Sequence, residues 1–173
     1  MIRVLGHQEK INSVVLSPNG FYALTGGNDY VAYLWDTLTG QVVHKVDHSS
    51  RVNKVSLDDK GRYAFTADSK RDARVWDLVT GKYVSNLQYS ARQRRFTTAI
   101  FLDDGKYLLI GLPSRRINRW DVKTGAALNE WFVSARKGSK PTSAVVYDVG
   151  FIGDSEIVSE SSNGLLEKWN IKN

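Results

Sequence analysis

Trp35-Asp36-Thr37-Leu38-Thr39-Gly40 recurs as Trp76-Asp77-Leu78-Val79-Thr80-Gly81 and again as Trp120-Asp121-Val122-Lys123-Thr124-Gly125. A shortened fourth copy reads Trp169-Asn170-Ile171. The tryptophans are 41, 44 and 49 residues apart. A second landmark, a turn running into an apolar stretch, precedes each of them. It reads Ser17-Pro18-Asn19-Gly20-Phe21-Tyr22, then Asp58-Asp59-Lys60-Gly61-Arg62-Tyr63, then Asp103-Asp104-Gly105-Lys106-Tyr107, and more loosely Gly153-Asp154-Ser155-Glu156-Ile157. Repeats with a period in the forties indicate one supersecondary unit copied along the chain.

The segments between landmarks are short and rich in Val, Ile, Leu, Tyr and Phe, as at 11–16, 21–25 and 31–35. Gly, Asn, Asp and Ser clusters bound them, which is a strand-and-turn pattern. No stretch sustains a helical period. Each repeat therefore reads as four short antiparallel strands, a to d.

Composition fits a globular chain. Of 173 residues, 42% are hydrophobic and 24% charged. No run approaches the roughly 20 apolar residues of a membrane-spanning helix, so no membrane association is expected. Cysteine is absent, which removes disulfides, thiolate metal sites and Cys nucleophiles. Residues 1–7 contain no apolar signal segment, and a cytoplasmic location is the default expectation.

The period and the Trp-Asp signature resemble the WD-repeat family of β-propellers. The resemblance spans essentially the whole chain and implies an all-β fold of four four-stranded blades. The expected blades cover about 11–46, 52–88, 96–133 and 142–173. In that family well-formed blades hold a polar network: a His before strand a, a Ser or Thr on strand b, an Asp in the b–c turn, and the Trp. The resemblance thus implies His7, Thr25, Asp29 and Trp35 in repeat 1. Repeat 2 offers His48, Thr66 and Trp76, with Lys70 where the Asp belongs. Repeat 3 keeps Trp120 and has Ile110 at the hydroxyl position. Repeat 4 has Ser159, Asn163 and Trp169 without a His. These residues read as structural, the tryptophans as blade core and the His-Thr-Asp set as a loop anchor, not a catalytic triad.

Four blades make half of a usual ring, because WD-type blades turn by about 45° between neighbours. Residues 1–5 stand where a strand d would precede repeat 1, and repeat 4 stops after strand c. Two chains are therefore expected to form one eight-bladed ring, residues 1–5 completing blade 4 of the partner or of the same chain. Such a two-fold arrangement is closed. The alternative is an excerpt of a longer propeller.

The net charge of +6 is unevenly placed. The d–a and b–c connections, on one face of the disc, hold Lys10, Arg51, Lys70, Arg71, Arg92, Arg94, Arg95, Arg115, Arg116, Arg136, Lys137 and Lys140. Against them stand Glu9, Asp29, Asp47, Asp68 and Asp72. The opposite turns are acidic, notably through Asp58, Asp59, Asp103 and Asp104. The candidate partner-binding residues are Lys70, Arg71, Arg92, Arg94, Arg95, Arg115, Arg116, Arg136, Lys137 and Lys140. Such a field suits an acidic or phosphorylated protein segment. The expected function is a non-catalytic interaction scaffold. A nucleic-acid-binding propeller and a ligand-binding or hydrolytic one are the alternatives.

No cofactor is expected. His44 and His48 are four apart on a strand and its turn, which is not a helical ligand pair. Asp58-Asp59 and Asp103-Asp104 precede Lys and Gly as turn residues do. Strand a offers Asn12, Ser13, Asn53, Lys54, Thr97, Thr98, Thr142 and Ser143, with Asp148 at the end of the last. Hydroxyls and amides without clustered carboxylates make no metal cage.

Overall fold

The computed structural model describes residues 6–89, 95–135, 138, 143–153 and 155–171. All regular structure in these residues is β, and none of their elements is long and apolar enough to cross a membrane as a helix. The strands are β1 (Ile11–Leu16), β2 (Tyr22–Gly27), β3 (Val31–Asp36), β4 (Val42–Asp47), β5 (Val52–Leu57), β6 (Tyr63–Asp68), β7 (Ala73–Asp77) and β8 (Lys82–Asn86). They continue as β9 (Thr98–Leu102), β10 (Tyr107–Gly111), β11 (Arg116–Asp121), β12 (Ala127–Phe132), β13 (Val146–Ile152), β14 (Glu156–Ser161) and β15 (Leu166–Asn170). Four antiparallel meanders result: β1-β2-β3-β4, β5-β6-β7-β8, β9-β10-β11-β12 and β13-β14-β15. The fourth has three strands among the described residues. Residues 1–5, the expected completing strand, lie outside them.

The repeated hexapeptide explains the turn that closes each blade. Asp36 Oδ1 accepts the N–H of Leu38 at 2.9 Å and of Thr39 at 2.8 Å. Asp77 does the same for Val79 and Thr80, and Asp121 for Thr124. These bonds, with the Thr39, Thr80 and Thr124 amides foremost, hold all three carboxyls below their ordinary range. The following Gly40, Gly81 and Gly125 take φ of 70°, 67° and 69°, the left-handed region that glycine enters without a Cβ clash. The motif is thus a carboxylate-capped turn with its hinge residue.

Burial follows the alternation of the strands, and it is always shared between blades. Leu24, Leu34, Val52, Val55 and Leu57 form the cluster between blades 1 and 2. Phe65, Val75, Phe96, Phe101, Leu108 and Trp120 form the one between blades 2 and 3. Leu109, Ile117, Val146, Val149 and Ile157 fill the third. Inner strands neighbour one another in sequence, β1 against β5, β5 against β9 and β9 against β13, so these first strands line the inner side of an arc.

The tryptophans differ in a way the repeat does not show. Trp120 is fully buried, whereas Trp76 and Trp169 are half-buried against the neighbouring cores. Trp35 stands on the outer face of blade 1, which no described blade covers.

Glycine at the turn has unequal stakes along the chain. A Cβ at Gly61 would meet nothing, while one at Gly125 would strike the carbonyl of Asn86 in blade 2. Gly61→Ala should cost about 1–2 kcal/mol, the ordinary penalty of a left-handed alanine. Gly125→Ala should cost clearly more, because strain and an inter-blade clash add. Urea unfolding of the two variants compares them directly.

Candidate functional site

In blade 1 the polar residues are joined end to end. Trp35 Nε1 donates to Thr25 Oγ1 at 2.8 Å, and Thr25 Oγ1 lies 2.8 Å from His7 Nε2. His7 Nδ1 is 2.9 Å from Asp29 Oδ1. Asp29 also accepts the Gln8 amide at 3.1 Å. Burial raises the Asp29 carboxyl, but the bonds from His7, Gln8 and Val31 outweigh it and leave it below its ordinary value. The hydroxyl can donate to His7 Nε2 only if Nδ1 carries the ring proton, which the carboxylate stabilises.

Blade 2 builds the Trp–Thr–His part of this relay and brings a different acid near the ring. Trp76 Nε1 donates to Thr66 Oγ1 at 3.0 Å, and Thr66 lies 2.9 Å from His48 Nε2. Lys70 takes the Asp position, but Asp72, two residues on, brings Oδ2 to 3.4 Å from His48 Nδ1, an electrostatic contact that leaves Nδ1 without a hydrogen bond among the described residues. Arg74 Nε grips Asp72 at 2.6 Å. Asp68 Oδ1 accepts the Lys70 and Asp72 amides at 2.7 and 3.0 Å. Sequence position alone missed Asp72, because a turn carboxylate can enter from either side of the loop. His48, Asp68 and Asp72 have ligand atoms within 4.8 Å of one another. Arg74 and the turn amides already occupy those carboxylates, so the cluster reads as a loop anchor.

Blades 3 and 4 lack the relay. With Ile110 at the hydroxyl position, the buried Trp120 Nε1 has no partner among the described residues. The expected set Ser159, Asn163 and Trp169 does not come together. Ser159 Oγ is buried without a partner, and Asn163 Nδ2 donates to Ser134 O at 2.6 Å and Glu167 at 3.2 Å.

The charged residues divide by what holds them. On the d–a/b–c face, Asp29, Asp68 and Asp72 are turned into their own loops as described above. Lys10, Arg51, Lys70, Arg71 and Arg95 are exposed on that face, and none of them forms an ion pair among the described residues. Arg115 and Arg116 are not the free loop tips expected. Arg115 Nε donates to Val133 O at 2.8 Å, and Arg116 Nη1 pairs with Glu130 at 2.9 Å. Arg92, Arg94, Arg136, Lys137 and Lys140 lie outside the described residues. On the opposite face Asp58 is a correction. It is buried, and burial raises its carboxyl. Asp103 and Asp104 pair with Lys106 and Lys60. Two acids of that face are thus paired with lysines, whereas the exposed cations named on the basic face have no acidic partner among the described residues.

The family model for the WD domain, G-beta repeat, matches residues 1–36 and 40–77. The WD-repeat match thus spans β1 to β7, and the blade geometry carries the propeller fold through blades 3 and 4. Among solved structures, the computationally designed Ika4 protein is 25% identical over 98% of this chain and 96% of its own, with a TM-score of 0.76. The computationally designed Ika8 protein is also 25% identical, with a TM-score of 0.75; the match covers 97% of this chain but 48% of Ika8. The chain thus spans about half of Ika8. No curated protein matches it in sequence.

His48 makes the WD relay of blade 2 sensitive to pH. Burial lowers its pKa below the ordinary 6.5, against the opposing pull of Asp72. The unfolded chain then binds a proton that the folded chain resists, so stability is complete above 6.5 and falls as pH drops below it. Thermal melts from pH 8 to 5 should show this decline, and His48→Gln should flatten it.

Proposed function

We propose that this chain is a non-catalytic interaction platform whose d–a/b–c face takes an acidic or phosphorylated protein segment. The observation that carries this is an asymmetry: Asp29, Asp68 and Asp72 serve their own loops and Asp47 pairs with Lys45, leaving Glu9 as an exposed acid, while Lys10, Arg51, Lys70, Arg71 and Arg95 form no ion pair among the described residues. Fluorescence anisotropy with a labelled polyglutamate peptide tests the reading. Lys70→Glu with Arg71→Glu should weaken binding about tenfold, because charge-assisted bonds become repulsions. Lys82→Glu with Lys123→Glu, on the other face, should leave it unchanged. Equal effects would refute the face assignment, and tighter binding of a single-stranded oligonucleotide would favour a nucleic-acid partner.

We further infer that a second copy of the chain covers the two ends of the arc. Val14 is 65% exposed and Leu16 61% exposed on the outer face of blade 1, beside Trp35. On the outer face of blade 4, Leu166 is 74% exposed and Ile152 47% exposed. Val158 stands there at the place where Leu24, Phe65 and Leu109 are buried in the other blades. Inside the chain the same two kinds of face meet three times, so the blade 4 face of one copy fits the blade 1 face of another. The double length of Ika8 supports a ring of twice four blades. Light scattering after size exclusion should give a species near twice 19.4 kDa, and Leu16→Glu with Leu166→Glu should reduce it to the monomer. A wild-type monomer would end this reading.

A further inference from the structure

The inner ends of the four blades line an open recess of about 630 Å³ on the basic face. That is within the range of small-ligand sites, roughly 300–1,000 Å³. Lys10 enters it from the lead-in to β1, Lys54 from β5 and Arg95 from the lead-in to β9. Asn12, Ser13, Asn53, Thr97 and Tyr147 add polar groups to its lining, and no carboxylate residue lines it.

The polar groups of the lining are already arranged around this space. Asn12 Nδ2 is fixed by Asn28 Oδ1 at 2.8 Å and Val52 O at 3.1 Å. Asn53 Nδ2 donates to Ser69 Oγ at 2.7 Å. Lys54 Nζ donates one proton to Thr97 O at 2.8 Å, and an ammonium has three. The Thr97 hydroxyl is buried with no partner. Asp148, which attracts Lys54 at longer range, is engaged elsewhere, accepting from Thr98 Oγ1 at 2.7 Å and from the Val149 amide at 2.9 Å. Burial of Lys54 disfavours its ammonium form and lowers its pKa, a cost that an incoming anion would offset.

We propose that this recess is a phosphoryl-binding site. Cations reaching one space from three blades match a tetrahedral oxyanion with charge near −2, which accepts on several oxygens. A planar carboxylate would satisfy at most two of them. Lys54 supplies the partly desolvated point charge, Arg95 the forked donor, and Lys10 the charge at the mouth. The phosphoryl group comes from a phosphorylated side chain or from a free phosphate compound. This deepens the basic-face reading and rests on it, by placing the recognition at the inner rim and not at the outer loop tips.

Calorimetric titration of the full chain with inorganic pyrophosphate and with a phosphoserine peptide separates the two sources. Lys54→Met should weaken the bound source about tenfold, and so should Lys10→Gln with Arg95→Gln, each change removing charge-assisted bonds. The second variant touches only exposed side chains, so it reads the site even if Lys54→Met fails to fold. Lys70→Glu with Arg71→Glu should change binding of the phosphoryl probe less than the inner variants do. Unaltered binding in the inner variants, or no binding of either probe, overturns the recess assignment. The platform reading survives that result if the polyglutamate peptide still depends on Lys70 and Arg71, and it fails only if that dependence is also missing.

Discussion

Face-to-face packing of one blade on the next is the contact on which everything else depends. A four-stranded sheet with two apolar faces cannot stand alone in water, because burying each face is the main favourable term in its folding. Here all three hydrophobic clusters lie between blades. Blades 2 and 3 are covered on both sides and hold the fully buried Phe65, Leu108, Leu109 and Trp120. Blades 1 and 4 are covered once, and their outer faces carry most of the exposed large aliphatics. Those two outer faces have no blade over them among the described residues.

The polar relays and the apolar clusters do different work. A Trp–Thr–His–Asp chain links a loop, two strands and a turn within one blade, and each buried donor it satisfies avoids a desolvation penalty of about 1–3 kcal/mol. Blade 1 uses this device whole, and blade 2 its Trp–Thr–His part. Blade 3 replaces the hydroxyl with Ile110 and leaves the Trp120 N–H unpaired, exchanging a hydrogen bond for apolar contact in the most enclosed position of the arc. The family model stops at residue 77, just where the relay stops. Divergence in the later repeats is concentrated in the groups whose chemistry defines the family pattern, while the Trp-Asp turn persists through Asp121 because its capping bonds are local.

The blades and their turns were legible in the sequence because both depend on short-range chemistry. A capped turn needs an Asp, a Thr and a Gly at fixed spacing, and alternation sets the strand faces. The networks were only partly legible. His7, Thr25 and Asp29 occupy family positions, but Asp72 enters the blade 2 relay from two residues away, and nothing in a linear pattern measures that reach. Ser159 carries the right side chain and lacks the His that would make it useful. Charge was least legible. Asp58 looks like its neighbour Asp59 in sequence, yet it is buried, and Arg116 resembles Arg71 until Glu130 is found opposite it. Pairing across strands is set by register, which the sequence specifies only through the fold.

That distinction explains how a chain of net charge +6 comes to have one active electrostatic face. The turns on both faces use carboxylates, but for different partners. On the c–d side, Asp36, Asp77 and Asp121 cap amides, and Asp103 and Asp104 meet lysines. On the b–c side, Asp29, Asp68 and Asp72 are drawn inward to hold histidines and turn amides. Arg74 pairs with Asp72, while Lys10, Arg51, Lys70, Arg71 and Arg95 stay outside. The loop-anchoring chemistry of the fold thus separates charge, and the separation is strongest at the inner rim, where Lys10, Lys54 and Arg95 line a recess without a carboxylate. A ring of two copies would set two such recesses about one axis. Their mutual repulsion is smallest when each holds an anion, so occupation of the sites and closure of the ring would favour one another.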